Sequence, residues 1–389
     1  MPNEYSADTP HLRVPPRRTP DQPDHAIVGS VTEDPPRRYA TNVTAGVADR
    51  AVVDAFGRVS RAHFVRTILD SDGRPVPATA EKIYSDEALV TRLRDGLPSS
   101  SSSQPSLMAQ MLEALRLRPG HRVLEVGAGT GYNAALIATI TGAPVVSVDV
   151  QPDVVREAVD ALDRAGVANV TVLEGDGYLG APGLGPFDRI IATVGVGGVP
   201  PHWLDQLAPS GLILAPIEHG GLQPCIAVTP TGPPDPTPAG LAGQGALRSG
   251  FMQAAGPLNP DAGRPQPLVF AQPPVAVPVP PLPQQLYYEL WFGLAARDPR
   301  VERRMVEGLT VGLEFGFGAQ CVVTDPVEGS VVVALDGLYP VGASDRLVAH
   351  VRALVEEWHA AGAPPVSAWR CGFTKDGGLW RPAGWRLGP

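Results

Sequence analysis

The chain has 389 residues, 43% of them hydrophobic and 18% charged, which is enough length and apolar content for two compact units with linkers. Its formal net charge is -9 and no block of five basic residues occurs, which argues against a nucleic-acid partner. Three scattered cysteines without CxxC spacing argue against a disulfide framework or a metal site, and neither a run of ~18 apolar residues nor an N-terminal apolar core is present, so no membrane contact and a cytoplasmic setting are expected.

Residues 1–41 are rich in Pro, Arg and Asp, lack a hydrophobic period, and read as a disordered or extended arm. Val47, Val52, Val53, Phe56, Val59 and Phe64 recur with helical spacing, and Gly57 divides them into two short helices. Asp70–Pro77 reads as a turn. Pro98–Ser103 is a low-complexity polar run, with Ser99–Ser102 expected as flexible loop. Pro105–Leu117 is an amphipathic helix that opens on proline, with Ser103 just before it.

Strands and helices then alternate. Arg122–Val126, Pro144–Val150, Asn169–Leu173 and Phe187–Val194 read as strands, and Tyr132–Ile140 and Asp153–Ala165 as helices between them. A short helix at Pro201–Leu207 and strands at Gly211–Ile217 and Cys225–Thr229 follow. This order predicts an α/β fold with a doubly wound, Rossmann-like parallel sheet. Thr231–Pro283 is proline-rich, apart from an island at Gly245–Leu258 that returns to the first domain. Beyond it lie an aromatic-rich stretch at Leu286–Leu294 and short strands at Val311–Glu314, Gln320–Thr324 and Ser330–Ala334. An amphipathic helix at Asp345–Ala360 completes a smaller C-terminal α+β domain. The expected division is an arm at 1–41, a catalytic domain at 42–260, a linker at 261–283 and an accessory domain at 284–389.

The stretch Val123–Tyr132, VLEVGAGTGY, carries the chemistry. Gly127, Gly129 and Gly131 allow tight turning and close backbone approach to a ligand. Their G-x-G-x-G spacing misses the dinucleotide fingerprint by one place. Glu125, two residues before the first glycine, is expected to accept hydrogen bonds near a cationic amino-acid moiety and would sit badly beside a pyrophosphate. That favours S-adenosyl-L-methionine. Asp149 ends the next strand and can accept both ribose hydroxyls. Asp176, with Gly177 in EGDGY, can accept from an adenine amino group. Alternatively, Asp149 and Asp176 are turn formers before helices.

The succession of motifs resembles the protein-L-isoaspartate O-methyltransferase family over roughly residues 47–217. VSRAHFV at Val59–Val65, IYSD ending at Asp86, Ser101–Pro105, GDGYLGAP, PFDRIIATV and LDQLAPSGLILAPI follow its pattern, with His63 one place late. The resemblance implies a class I methyltransferase fold and carboxyl O-methylation of an aspartyl or isoaspartyl residue in a peptide or protein. It also implies a role for Ser103 as donor to the carboxylate or the peptide backbone. The plainer role of Ser103 is a helix N-cap.

Val194–Pro200 departs from the family's usual alanine run. With the serine run, GYNAALIA and the C-terminal extension, it resembles variants associated with ribosomal peptide biosynthesis of the lanthipeptide or graspetide type. Those variants imply tailoring of a ribosomally synthesised peptide, with the methyl ester collapsing to an aspartimide. General repair of isoaspartyl residues is the alternative. A binding module without catalysis, and methylation of a small molecule or a peptide C-terminus, are further alternatives. Trp291, Trp358, Trp369, Trp380 and Trp385 are expected to fill the C-terminal core rather than hold substrate. His202 and His219 are candidates to reach the cleft.

Overall fold

A computed structural model describes residues 35–231, 240–260, 267–307, 309 and 319–388. Residues 1–34 of the arm expected at 1–41, and the expected strand at Val311–Glu314, lie outside these residues. Among the described residues, no helix is long and apolar enough to cross a membrane.

The chain opens with α1 (Pro35–Val43) and α2 (Arg50–Arg58). Residues 35–41 of the expected arm are therefore helical. Tyr39, Ala40 and Val43 are buried, and their apolar contacts hold this turn of chain as helix. Asp49 caps α2, which runs through Gly57 unbroken because Val52, Ala55 and Phe56 line one buried face.

Two small hairpins follow: β1 (Thr67–Leu69) with β2 (Pro75–Pro77), and, after a short α3 (Ala80–Ile83), β3 (Leu89–Arg94) with β4 (Leu97–Ser102). The serine run expected as flexible loop is thus a paired strand. Asp95 and Gly96, both at positive φ, form the two-residue turn that closes it. Then α4 (Pro105–Ala114) begins on its proline.

The alternating region gives β5 (Val123–Val126), α5 (Tyr132–Thr141), β6 (Val145–Asp149), α6 (Pro152–Ala165) and β7 (Val170–Glu174). It continues with β8 (Phe187–Ala192), α7 (Pro201–Asp205), β9 (Leu207–Pro216), β10 (Cys225–Pro230) and β11 (Leu241–Leu247). α6 buries Val154, Ala158, Ala161 and Leu162 and stops at Gly166, which takes the left-handed φ of 68°. α5 is mostly apolar, and all of it but the half-buried Thr139 is buried.

The large sheet has the order β9-β8-β5-β6-β7 in its parallel part. The order reverses between β5 and β8, and ligands of such sheets bind at the carboxyl ends of the strands there. β10 and β11 extend the β9 edge antiparallel.

The C-terminal half contains β12 (Pro267–Val269), α8 (Tyr287–Ala295), β13 (Val301–Glu307), β14 (Ala319–Asp325), β15 (Gly329–Val333) and β16 (Leu338–Val341). These five strands form a second sheet, and α9 (Asp345–Ala360) packs on it. β12 pairs with β13, so the stretch expected as linker is partly strand.

The division at residue 284 fails for the last two strands. β17 (Trp369–Asp376) pairs with β11, and β18 (Leu379–Leu387) pairs with β17, so both belong to the large sheet. Their pairing covers the β11 edge, whose backbone groups would otherwise be left open. The tryptophans divide by position: Trp291, Trp358 and Trp369 are core residues, and Trp380 and Trp385 are half-buried.

Candidate active site

A cavity of about 530 Å³ lies at the carboxyl ends of β5, β6 and β8. Ser103, Gly127, Gly129, Asp149, Asp176 and Gly177 line it. Six of the eight predicted site residues therefore converge on one space.

The glycine loop owes its shape to its lack of side chains. Gly127 has φ 101°, and a Cβ there would sit 2.6 Å from Thr193 Oγ1. Thr193 Oγ1 in turn donates to the Gly127 carbonyl at 2.6 Å. A Cβ at Gly129 would stand 3.2 Å from the Ser101 carbonyl, so the loop and the serine strand are in close contact. Gly131 does not line the cavity; it caps α5 at φ 81° and faces Ala158 of α6. Its need for glycine comes from that left-handed φ and from the close approach of Ala158.

Asp149 is held by its own backbone surroundings. Gly129 N donates to Oδ2 at 3.3 Å and Gln151 N to Oδ1 at 3.0 Å. Burial raises its pKa, and these backbone donors oppose the rise. The Gln151 side chain donates to the Ser99 carbonyl at 2.9 Å, tying the carboxylate's neighbour to the serine strand.

Asp176 Oδ1 accepts from Tyr178 N at 2.9 Å, an Asx turn at the cavity edge. Trp203 Nε1 donates to the Gly177 carbonyl at 2.8 Å, and a Cβ at Gly177 would meet Val126 Cγ1 at 2.6 Å.

Glu125 is a correction. It is fully buried and does not line the cavity. Asn133 Nδ2 donates to its Oε1 at 2.8 Å, and Ser147 Oγ donates to its Oε2. Burial pushes its pKa to about 7. Its side chain stands between β5, β6 and α5, where it fixes Asn133, itself a cavity residue. The register of β5 within the sheet, and not the motif, sets that direction.

Ser103 lies on the cavity wall between β4 and α4. It is not the helix cap: Gln104 holds that position, and Asp86 Oδ1 accepts from Ser106 N at 2.8 Å in its place. Among the described residues the Ser103 hydroxyl has no hydrogen-bond partner, while its carbonyl accepts from Arg61 Nη2 at 3.2 Å.

Arg61, from the VSRAHFV motif, is fully buried behind the serines. Its guanidinium donates to the Ser85 carbonyl at 2.8 Å, the Glu87 carbonyl at 3.0 Å and Ser102 Oγ at 3.1 Å. The motif thus holds the serine strand in place.

Several cavity residues escaped sequence reasoning. Residues 250–255 form one wall, anchored by Gly195 N to the Met252 carbonyl at 2.9 Å and Ala254 N to the Gly195 carbonyl at 2.8 Å. The island at Gly245–Leu258 was the signal for them. Tyr132, Leu107 and Met108 supply apolar wall. Tyr132 also shares a 3.3 Å hydroxyl contact with Tyr39, so α1 buttresses the loop. His202 and His219 do not line the cavity. His202 meets Tyr178 edge-on, and His219 lies among Phe292 and Trp385, where burial depresses its pKa to about 4.

The family model for protein-L-isoaspartate(D-aspartate) O-methyltransferase matches residues 41–232. A protein-L-isoaspartate O-methyltransferase of Bradyrhizobium sp. (strain ORS 278) is 37% identical over 188 residues, 48% of this chain and 80% of that protein. The chain belongs to the protein-L-isoaspartate O-methyltransferase family. The enzyme of the same name from Thermotoga maritima is 44% identical over 137 residues, 35% of this chain and 43% of that protein. A solved structure of a protein-L-isoaspartate O-methyltransferase shares the fold, with TM-score 0.52 at 24% identity over 89% of this chain and 98% of that one.

As a protein-L-isoaspartate O-methyltransferase family member, the chain is an S-adenosylmethionine-dependent enzyme. Its cavity suits that cofactor. The space is of ligand size, Gly127 and Gly129 leave no room for side chains, and two carboxylates, Asp149 and Asp176, stand on its wall.

Proposed function

We propose that the enzyme methylates the free carboxylate of isoaspartyl residues in peptides and proteins, with Ser103 orienting the acceptor. The observation that carries this is the Ser103 hydroxyl, without a hydrogen-bond partner among the described residues, on the wall of the same cavity as Asp149 and Asp176. Asp149 would accept from the ribose hydroxyls of S-adenosylmethionine and Asp176 from its adenine amino group, with Gly127, Gly129 and Gly177 giving the backbone close approach.

When bound, the cofactor supplies a methyl group on a positively charged sulfur. The acceptor carboxylate is already a nucleophile near neutral pH, so no strong base is required of the protein. The chain's contribution is alignment and exclusion of water. Leu107, Met108 and Met252 supply apolar wall, Ser103 donates to the carboxylate or its backbone, and Arg61 holds the end of β4, just before Ser103, and the Ser103 carbonyl.

The relatives' names support isoaspartyl residues in proteins at large as the acceptor. The narrower reading, tailoring of a ribosomally synthesised peptide with collapse to an aspartimide, rests on the resemblance alone. The C-terminal extension does not favour it, since the fold likeness to an isoaspartate methyltransferase covers 89% of this chain. Three buried free cysteines suit a reducing compartment such as the cytoplasm.

Mass spectrometry with an isoaspartyl peptide, its aspartyl twin and a peptide encoded beside the gene tests the reading. Methyl gain by the isoaspartyl peptide is expected. Methyl gain only by the neighbour-encoded peptide would overturn the isoaspartyl assignment in favour of tailoring.

A further inference from the structure

The last two strands do more than lengthen the sheet. Leu379 and Trp380 begin β18 and lie beside the 194–200 loop that leaves β8. Trp380 N donates to the Val199 carbonyl at 2.9 Å, and Val199 N to the Trp380 carbonyl at 2.8 Å. A Cβ at Gly198 would stand 2.7 Å from the Trp380 carbonyl, so the two backbones touch. The β17–β18 turn is Gly377–Gly378, with φ of 55° and 86°. It presents the Gly378 carbonyl to Tyr178 Oη, which donates to it at 3.2 Å across 200 residues of sequence.

Tyr178 is coupled to the cavity. Its backbone N–H is the donor that closes the Asx turn of Asp176. The same turn is fixed from below by Trp203 through the Gly177 carbonyl. Leu258 bounds it on another side, with Cδ1 3.0 Å from where a Gly177 Cβ would lie, while its carbonyl accepts from Gly197 N at 2.8 Å. Asp176 is thus held by a turn whose outer support comes from the end of the chain.

We propose that the β17–β18 hairpin is a clamp on the Asp176–Tyr178 turn, and that Tyr178 is a positioning residue for cofactor binding. The proposal rests on the cofactor reading of Asp176. It assigns the C-terminal segment to the cofactor side of the cavity, not to peptide recognition. Without the clamp the turn would sample other positions, and the carboxylate would lose part of its preorganisation.

The test uses the full-length protein with Tyr178→Phe, Gly198→Ala and the double variant. Gly198→Ala drives a methyl into the contact with Trp380. Calorimetry should show Kd for S-adenosylmethionine rising about fivefold in Tyr178→Phe, the size of one neutral hydrogen bond. KM for an isoaspartyl peptide at saturating cofactor should stay at the wild-type value. Amide exchange at Tyr178 and Leu179 should quicken without cofactor present. The double variant should be no worse than the worse single one, because both act through one hairpin. Wild-type Kd and wild-type exchange in Tyr178→Phe would overturn the clamp, even if Gly198→Ala failed to fold. A wild-type protein that did not bind S-adenosylmethionine would overturn the cofactor reading and the clamp with it.

Discussion

Arg61 Nη2 donates to Ser102 Oγ at 3.1 Å, and Arg61 Nε reaches the same oxygen at 3.3 Å. The guanidinium also donates to the carbonyls of Ile83, Ser85, Glu87, Ser102 and Ser103. One buried side chain therefore gathers the loop before β3 and the end of β4 around itself. The planar fork of donors suits this work, and an ammonium does not.

Arg61→Lys should consequently destabilise the fold. Lysine brings three donors to a site that uses more, and leaves carbonyls unpaired in the interior. The expected loss is about 2–4 kcal/mol of unfolding free energy, read by urea denaturation. A change below about 0.5 kcal/mol would mean that water or local rearrangement replaces the guanidinium.

Adjacent serines should respond oppositely. Ser102→Ala removes a buried partner of Arg61 and should cost about 1–3 kcal/mol of stability. Ser103→Ala removes a hydroxyl with no hydrogen-bond partner among the described residues, so stability should hold within about 0.5 kcal/mol. Its effect should fall on kcat/KM for the isoaspartyl peptide, by about tenfold, the size of one oriented donor to a carboxylate. Equal kcat/KM in Ser103→Ala and wild type would remove Ser103 from the acceptor site.

Asp149→Asn should weaken S-adenosylmethionine binding by about 10- to 100-fold, because a charge-assisted acceptor becomes neutral. The single amide oxygen can still accept from one of the two backbone donors, Gly129 N or Gln151 N, while the other loses its acceptor, so part of the loss comes from the turn itself. Calorimetry on the folded variant checks this, and unchanged affinity would relegate Asp149 to a turn former.

Glu125 gives a pH signature. Its pKa of about 7 lies above the ordinary 4.5, because burial disfavours the anion. The folded state therefore holds a proton that the unfolded chain releases. Stability from this group is full below about pH 4.5 and is lost as pH rises to about 7, a span worth about 3 kcal/mol. His219 acts in the opposite sense as pH falls from 6.5 towards 4, because its folded form resists protonation. Comparing wild type with Glu125→Gln cancels the histidine. The variant's stability should fall less between pH 4.5 and 7, and parallel curves would show that Glu125 is ionised throughout.

Much of the parallel sheet was legible in order. β5 to β8 and their helices carry local signals: β-rich runs, prolines opening helices, and Gly166 closing α6. The serine strand was not legible, because β4 has no apolar alternation. Its pairing comes from the Asp95–Gly96 turn and from Arg61 behind it. The C-terminal hairpin falls within the expected accessory domain, since nothing local indicates that β17 pairs with β11.

The sequence by itself determined the glycine loop, the carboxylates that follow successive strands, and the family. These are local matters, set by backbone freedom and by residue type at fixed spacing. Only the tertiary structure decided which groups meet the cavity. Asp149 and Asp176 stand at the strand ends and line it, whereas Glu125 sits within β5 and is turned to Ser147 and Asn133. The same holds for residues 250–255 and for Gly378, which arrive through pairing across long stretches of chain. Side-chain direction and strand partnership depend on the register of the whole sheet, and no short window of sequence encodes that register.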